Sequence, residues 1–168
     1  MPFTPFHFGP GLLFKALAPT RFSFASYAAA QVVIDVESGY YLLTQQSPVH
    51  RSLHTFVIGG LAGAAVGVVG GWIGRRILPR VAQDQRAAVA AELAGTSTLL
   101  GGVSGGLTHA LLDGTMHYDM HPFRPLTAAN PLLGLLSLDA LHLLCVLTGA
   151  VGILLLCRPR IWRRSPKG

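Results

Sequence analysis

Two pairs of side chains that commonly bind metals stand four residues apart in this sequence. The first pair is His50 and His54, and the second is His109 and Asp113. Residues four apart lie on the same face of an α-helix, so each pair would present its side chains together. Imidazole and carboxylate groups on facing helices hold metal ions in helical bundles, and they suit zinc, with manganese or iron as alternatives. The spacing therefore predicts a site for a divalent metal, and an adventitious surface cluster is the alternative.

A third pair lies inside an apolar run near the C-terminus, where Asp139 and His142 stand three residues apart. A buried acid or histidine in a membrane span is costly and normally has a partner and a function. This pair could bind the metal, orient one of its ligands, or form a self-sufficient hydrogen-bonded pair. His117 and His121 lie between apolar runs, and the sequence assigns them no role.

Three apolar runs could position these side chains. Residues 56–74 carry no charge, and as a helix they would extend about 28 Å, close to the thickness of a bilayer core. Residues 90–112 are less apolar and should pack against neighbouring helices, and residues 132–156 form the third run. Small residues four apart in the first run predict a face on which another helix packs closely. These residues are Gly59, Gly63 and Gly67.

Composition and charge favour a membrane protein. Of the 168 residues, 51% are hydrophobic and only 12% are charged, about half the charged share of a soluble domain. The net charge is +6, but the basic residues follow apolar runs, which is typical of membrane flanks and argues against a nucleic-acid partner. Because basic residues favour the cytoplasmic side, we expect a multi-pass protein of the inner membrane with a cytoplasmic C-terminus. The basic residues in question are Arg75, Arg76, Arg80, Arg158, Arg160, Arg163, Arg164 and Lys167.

This orientation places six of the seven histidines at the outer end of the bundle. A helix over residues 22–36 would end near Asp35 and Glu37 at the same level, and a shorter apolar piece over residues 11–17 precedes it. Fifteen residues reach only about 22 Å, so these pieces predict a hairpin that dips into the membrane or a peripheral helix pair. The six histidines are His50, His54, His109, His117, His121 and His142.

The sequence as a whole predicts an all-α integral membrane bundle with one domain over residues 1–168. Residues 1–55 would form an N-terminal helical hairpin and a ligand loop, residues 56–157 about three membrane spans, and residues 158–168 a basic tail. The lipid bilayer is the predicted partner. A transporter with only three spans would have to form a homo-oligomer to build a path across the membrane.

Four short segments resemble a known family. They are TPFH at residues 4–7, IDVES at 34–38, HRSLHTF at 50–56 and THALLD at 108–113. The sequence resembles the membrane-bound metal-dependent hydrolases described as LexA-binding and inner-membrane-associated, and more distantly the zinc-dependent phospholipase C enzymes. The resemblance implies an α-helical, membrane-associated fold and hydrolase activity. It also implies a set of metal ligands, which are His7, Asp35, His50, His54, His109 and Asp113.

The expected function is therefore metal-dependent hydrolysis near the outer membrane surface. One or two divalent ions would lower the pKa of bound water, and Asp35 or Asp113 could bridge two of them. Glu37 is the candidate general base. Arg51 could neutralise a phosphate or carboxylate on a phosphoester or lipid substrate, or it could be an interfacial arginine. The alternative function is a non-catalytic metal-binding protein or a metal transporter.

Overall fold

The computed structural model describes residues 4–158, and this part of the chain is entirely helical. Short 3₁₀ turns over Ser52–His54 and Leu78–Arg80 flank the third helix. The prediction of an all-α fold is confirmed for these residues, whereas the basic tail beyond residue 158 lies outside them. The helices are α1 (Thr4–Leu17), α2 (Phe24–Leu43), α3 (Phe56–Ile77), α4 (Arg86–Leu93), α5 (Gly95–Met116) and α6 (Leu138–Cys157).

Helix α5 is the centre of the bundle, with α3 and α2 packed along it. α3 and α5 are antiparallel and touch backbone to backbone. A Cβ atom on Gly63 or Gly102 would overlap the carbonyl oxygen of the other glycine, and Gly106 meets Gly59 in the same way. The packing face predicted from Gly59, Gly63 and Gly67 is confirmed, since all three are buried. This contact fixes how the end of α5 is placed against the start of α3.

The remaining long helices complete a bundle with two chemically different ends. α1 packs against α6 and α2. α2 runs alongside α5 in the same direction, because Ser23 bonds to Ser97 at one end while Gln31 bonds to Thr108 further along. All seven histidines lie at the end where α3 and α6 begin, whereas Arg75 and Arg76 lie at the far end of α3. The predicted gathering of histidines at one end is therefore observed, and His7 joins the other six.

Side chains that cap helices explain where several helices begin. Thr55 accepts a hydrogen bond from the N–H of Ile58 and starts α3, and Ser137 accepts one from Ala140 and starts α6. Such caps satisfy backbone donors that would otherwise have no partner. The last helix thus begins at Leu138, six residues later than the apolar run that predicted it. The run over residues 90–112 is interrupted by extended backbone at Ala94, which separates α4 from α5.

Two helices are long and apolar enough to cross a membrane, over Phe56–Arg80 and Leu138–Cys157. Only 22% of the most apolar window of each is buried inside the protein. The exposed side chains include Leu61 and Trp72 on α3 and Leu147 and Leu154 on α6. Both helices therefore present apolar surface outward.

Candidate metal centre

Four side chains from three segments bring their oxygen and nitrogen atoms together at the histidine-rich end. Asp35 comes from α2, His54 from the turn before α3, and His109 and Asp113 from the last turns of α5. One ligand atom of each lies within 4.8 Å of the others. His109 Nε2 is 3.2 Å from Asp113 Oδ2 and 3.4 Å from Asp35 Oδ1, and His54 Nε2 is 3.9 Å from Asp113 Oδ2. We call these four residues the primary group.

The inward-facing atoms of His54, His109 and Asp113 lie close together without forming hydrogen bonds. His54, His109 and Asp113 are each at most 1% exposed. Within residues 4–158, neither Nε2 of the two histidines nor either oxygen of Asp113 has a hydrogen-bond partner. Leaving a buried polar atom unpaired costs about 1–3 kcal/mol, and buried polar groups are otherwise almost always satisfied. A cation between these atoms would satisfy them together, and the nitrogen and carboxylate donors fit a divalent ion such as zinc.

Acceptors behind the primary group fix which ring nitrogen faces the site. Nδ1 of His109 lies 2.7 Å from Gln31 Oε1, and Nδ1 of His54 lies 3.3 Å from Glu37 Oε2. Gln31 in turn donates to Thr108 Oγ1 at 3.1 Å, which orients its amide. A carboxylate or amide oxygen only accepts, so Nδ1 carries the proton and Nε2 keeps its lone pair. This arrangement is common around metal-binding histidines.

Glu37 lies behind His54 rather than facing the ligand atoms. Burial opposes the ionised form, but hydrogen bonds from the His54 ring and from the N–H of Leu53 lower the pKa of Glu37 overall. Burial also lowers the pKa of His54, which favours the neutral ring that a metal requires. The observed position suits a residue that orients His54, and the general-base role of Glu37 stays a prediction.

His7, which only the resemblance implied, lies beside the primary group. It is 2% exposed, and its Nε2 is 3.3 Å from Asp113 Oδ1. The hydroxyl of Tyr27 donates to the backbone oxygen of His7 at 2.9 Å and so holds the first turns of α1 against α2. Neither ring nitrogen of His7 has a hydrogen-bond partner in the described chain. The structure thus brings five of the six implied ligands into direct contact with one another.

His50, the sixth implied ligand, belongs to a second group with Asp113 and His117, whose ligand atoms also lie within 4.8 Å of one another. The rings of His50 and His117 stack with centroids 4.0 Å apart. Burial and the neighbouring His50 lower the pKa of His117 to about 4. His117 was assigned no role from the sequence, although it follows Asp113 by four residues, the same spacing as between His109 and Asp113.

Arg51 lines a cavity next to the second group. Its Nε donates to the carbonyl of Pro48 at 2.9 Å, and its guanidinium lies 3.5 Å from the centre of the Tyr41 ring. The cavity has a volume of about 670 Å³, and His50, His121 and Arg124 also line it. The cavity therefore carries two guanidinium groups and opens beside a candidate metal ligand.

Asp139 and His142 lie at the same end but in neither group of ligand atoms. Asp139 is in the first turn of α6, where an acid is stabilised by the helix dipole. The ring of His142 stacks on the ring of Phe6, with centroids 4.5 Å apart. Phe6 is the residue before His7. Nδ1 of His121 lies 2.6 Å from the carbonyl of Ala128. The described ring contact of His142 is with Phe6, and its role as a metal ligand or as support for one stays a prediction.

Comparison with protein-family models, with curated proteins and with the solved structures found no match.

Proposed function

We propose that this chain is a membrane-embedded, metal-dependent hydrolase whose centre is the primary group. The observation that carries the proposal is the convergence of ligand atoms from Asp35, His54, His109 and Asp113. Those of His54, His109 and Asp113 are buried without a hydrogen-bond partner in the described chain. A divalent ion bound there would polarise a substrate oxygen and lower the pKa of water. Zinc fits the donor set best, with manganese and iron as alternatives.

The chain's own residues would orient the metal ligands and bind the substrate. Gln31 and Glu37 hold the rings of His109 and His54 in the ligating tautomer. Arg51, fixed by the Pro48 carbonyl, and Arg124 would bind an anionic group in the cavity, since guanidinium forks match phosphate and carboxylate. A phosphoester, free or in a lipid headgroup, is the substrate class that this cavity and the family resemblance both favour.

The membrane placement rests on the exposed apolar faces of α3 and α6. Large apolar patches on a protein surface mark contacts with membranes or partners, and these two helices match the thickness of a bilayer. Helix α5, enclosed by α2 and α3, would form a third span, with the α1–α2 hairpin beside it. The arginines at the end of α3 would face the cytoplasm, and the metal centre would face the opposite side. Alkaline carbonate extraction should leave the protein in the membrane pellet, and release into the supernatant would contradict this placement.

The catalytic test uses detergent-purified protein stripped with a chelator and reloaded with zinc. We expect hydrolysis of p-nitrophenyl phosphate, bis(p-nitrophenyl) phosphate, or phospholipid in vesicles, detected in the last case by release of the phosphorylated headgroup. The His109→Ala variant should lose at least about 100-fold in rate, because an open site with one ligand fewer binds its ion weakly. The matched control is Asp84→Asn, which removes an exposed carboxylate far from the site.

Three results distinguish the alternatives. Turnover that requires zinc and His109 supports the hydrolase. Tight zinc binding without turnover of any of the three substrates would favour the non-catalytic metal-binding or transport function. Failure to bind zinc would contradict the metal centre itself.

A further inference from the structure

We propose that the centre holds two metal ions, and that the second ion is bound by His50 and His117 with Asp113 shared between the two. This inference rests on the proposed function and extends it. It assigns a role to His117, and it separates His50 from the primary group.

The first argument is the position of Asp113. Its carboxylate is fully buried, and it is the only residue common to both groups of ligand atoms found in the described chain. Both of its oxygens lack a hydrogen-bond partner there. A carboxylate can give one oxygen to each of two ions, and sites with two ions about 3.5–4 Å apart are common among hydrolases of phosphoesters.

The second argument is that His50 is oriented as a ligand and not merely packed. Its Nδ1 lies 2.8 Å from Asp119 Oδ1, and the other oxygen of Asp119 accepts from the backbone N–H groups of Val49 and His50. The carboxylate can only accept, so Nδ1 carries the proton and Nε2 retains its lone pair. Asp119 thus does for His50 what Glu37 does for His54.

The third argument is the unpaired nitrogen of His117. Its Nε2 is buried and has no hydrogen-bond partner among the residues that the structure describes. The ring stacks against His50, so two imidazoles lie face to face beside the Asp113 carboxylate. Two neutral rings and one carboxylate supply three ligands and leave a fourth position open, which is the composition of a catalytic zinc site.

The position of the second ion also connects the centre to the cavity. His50 belongs to the second group and lines the cavity that contains Arg51 and Arg124. A phosphate held by these arginines would therefore approach the second ion first. The primary group, whose histidines are buried, would lie behind it.

The experiment measures how many zinc ions the full-length, detergent-purified protein binds after chelator treatment, reloading with zinc alone and desalting. We expect two ions per wild-type chain by elemental analysis. His117→Ala and His50→Ala should each retain one ion, whereas Asp113→Ala should retain neither tightly. His121→Ala is the matched control, since it removes a nearby histidine outside both groups, and it should keep two ions.

A further variant tests the second ion even if the alanine variants misfold. Asp119→Asn keeps the size of the side chain and should weaken only the second zinc by about 10–100-fold in titration, with the first unchanged. A merely structural role of Asp119 would weaken both ions or neither.

The failures can be told apart. One zinc per wild-type chain, unchanged in His117→Ala, would overturn the second ion and leave the proposed hydrolase intact. Two ions that persist in His117→Ala would also overturn this assignment. No bound zinc in the wild type would overturn both proposals.

Discussion

Two clusters of polar side chains lie at opposite ends of the bundle, and they differ in whether the protein completes them. At the end away from the histidines, Lys15 pairs with Glu92 and donates to the carbonyls of Pro19 and Phe22. Glu92 also accepts from the backbone N–H of Ala25, 2.9 Å away. This cluster, which we call the closed cluster, satisfies its charges internally.

The metal centre, by contrast, places ring nitrogens and carboxylate oxygens together without satisfying them. Gln31 and Glu37, which support its histidines, are themselves hydrogen-bonded. The unpaired atoms of the primary group are the inward-facing ones of His54, His109 and Asp113. The closed cluster shows that this chain can satisfy partly buried charges with its own groups. The unpaired atoms at the other end are those that the proposed cation would satisfy.

The largest effect is expected when a residue that orients a metal ligand is changed and the ligand itself is kept. Gln31→Ala should weaken zinc binding by about 10–100-fold, because His109 loses the acceptor that fixes its tautomer and ring orientation. Gln31→Glu retains an acceptor oxygen and should restore most of the affinity. Zinc titration of the chelator-stripped protein measures both variants, and unchanged affinity in Gln31→Ala would mean that the hydrogen bond plays no part in binding.

A smaller effect is expected at the closed cluster. Lys15→Met should lower the free energy of unfolding by about 1–3 kcal/mol, because Glu92 is left partly buried without its cation. The double variant Lys15→Met/Glu92→Gln should recover part of this loss, since neither charge then remains. Denaturant unfolding in detergent micelles measures the change.

Zinc content provides the matched control for the closed cluster. In the folded Lys15→Met protein it should equal that of the wild type. A loss of zinc in this variant would show that the two ends of the bundle are coupled. It would contradict the view that the closed cluster has no part in metal binding.

One ligand pair could be predicted from the sequence because helical spacing is a local property. His109 and Asp113 are four apart and do face the same site. The prediction that His50 and His54 share a helix face was wrong, since both lie outside the α-helices and belong to different groups of ligand atoms. The glycine contact between α3 and α5 was predictable on one side only, since spacing identifies a face but not its partner. Asp35 and Glu37 differ by two residues, which places them on different faces of α2, and only the tertiary packing decides which one faces the ligand atoms.

Other parts of the site depend on tertiary structure from the start. Gln31 supports His109 across more than 70 residues of sequence, and no local pattern connects them. Asp119 comes from the segment after α5, where the period of a helix gives no guide, whereas His117 caps α5 and keeps the four-residue spacing from Asp113. The boundaries of α6 were also misplaced, because apolar residues before Ser137 resemble a helix in composition while a capping hydroxyl decides where it begins.

The order of the ligands along the chain has a consequence for how the protein is made. The primary group joins residue 35 to residue 113, so an ion would close a long loop of chain. Cross-linking a loop of that order by a disulfide contributes about 4 kcal/mol through the entropy removed from the unfolded chain, and a metal tether restricts the chain in the same sense. The ligand set is incomplete until α5 has been synthesised, and it is complete before α6 appears. Metal loading would therefore follow the synthesis of α2, α3 and α5, would not require α6, and would stabilise the histidine-rich end of the bundle.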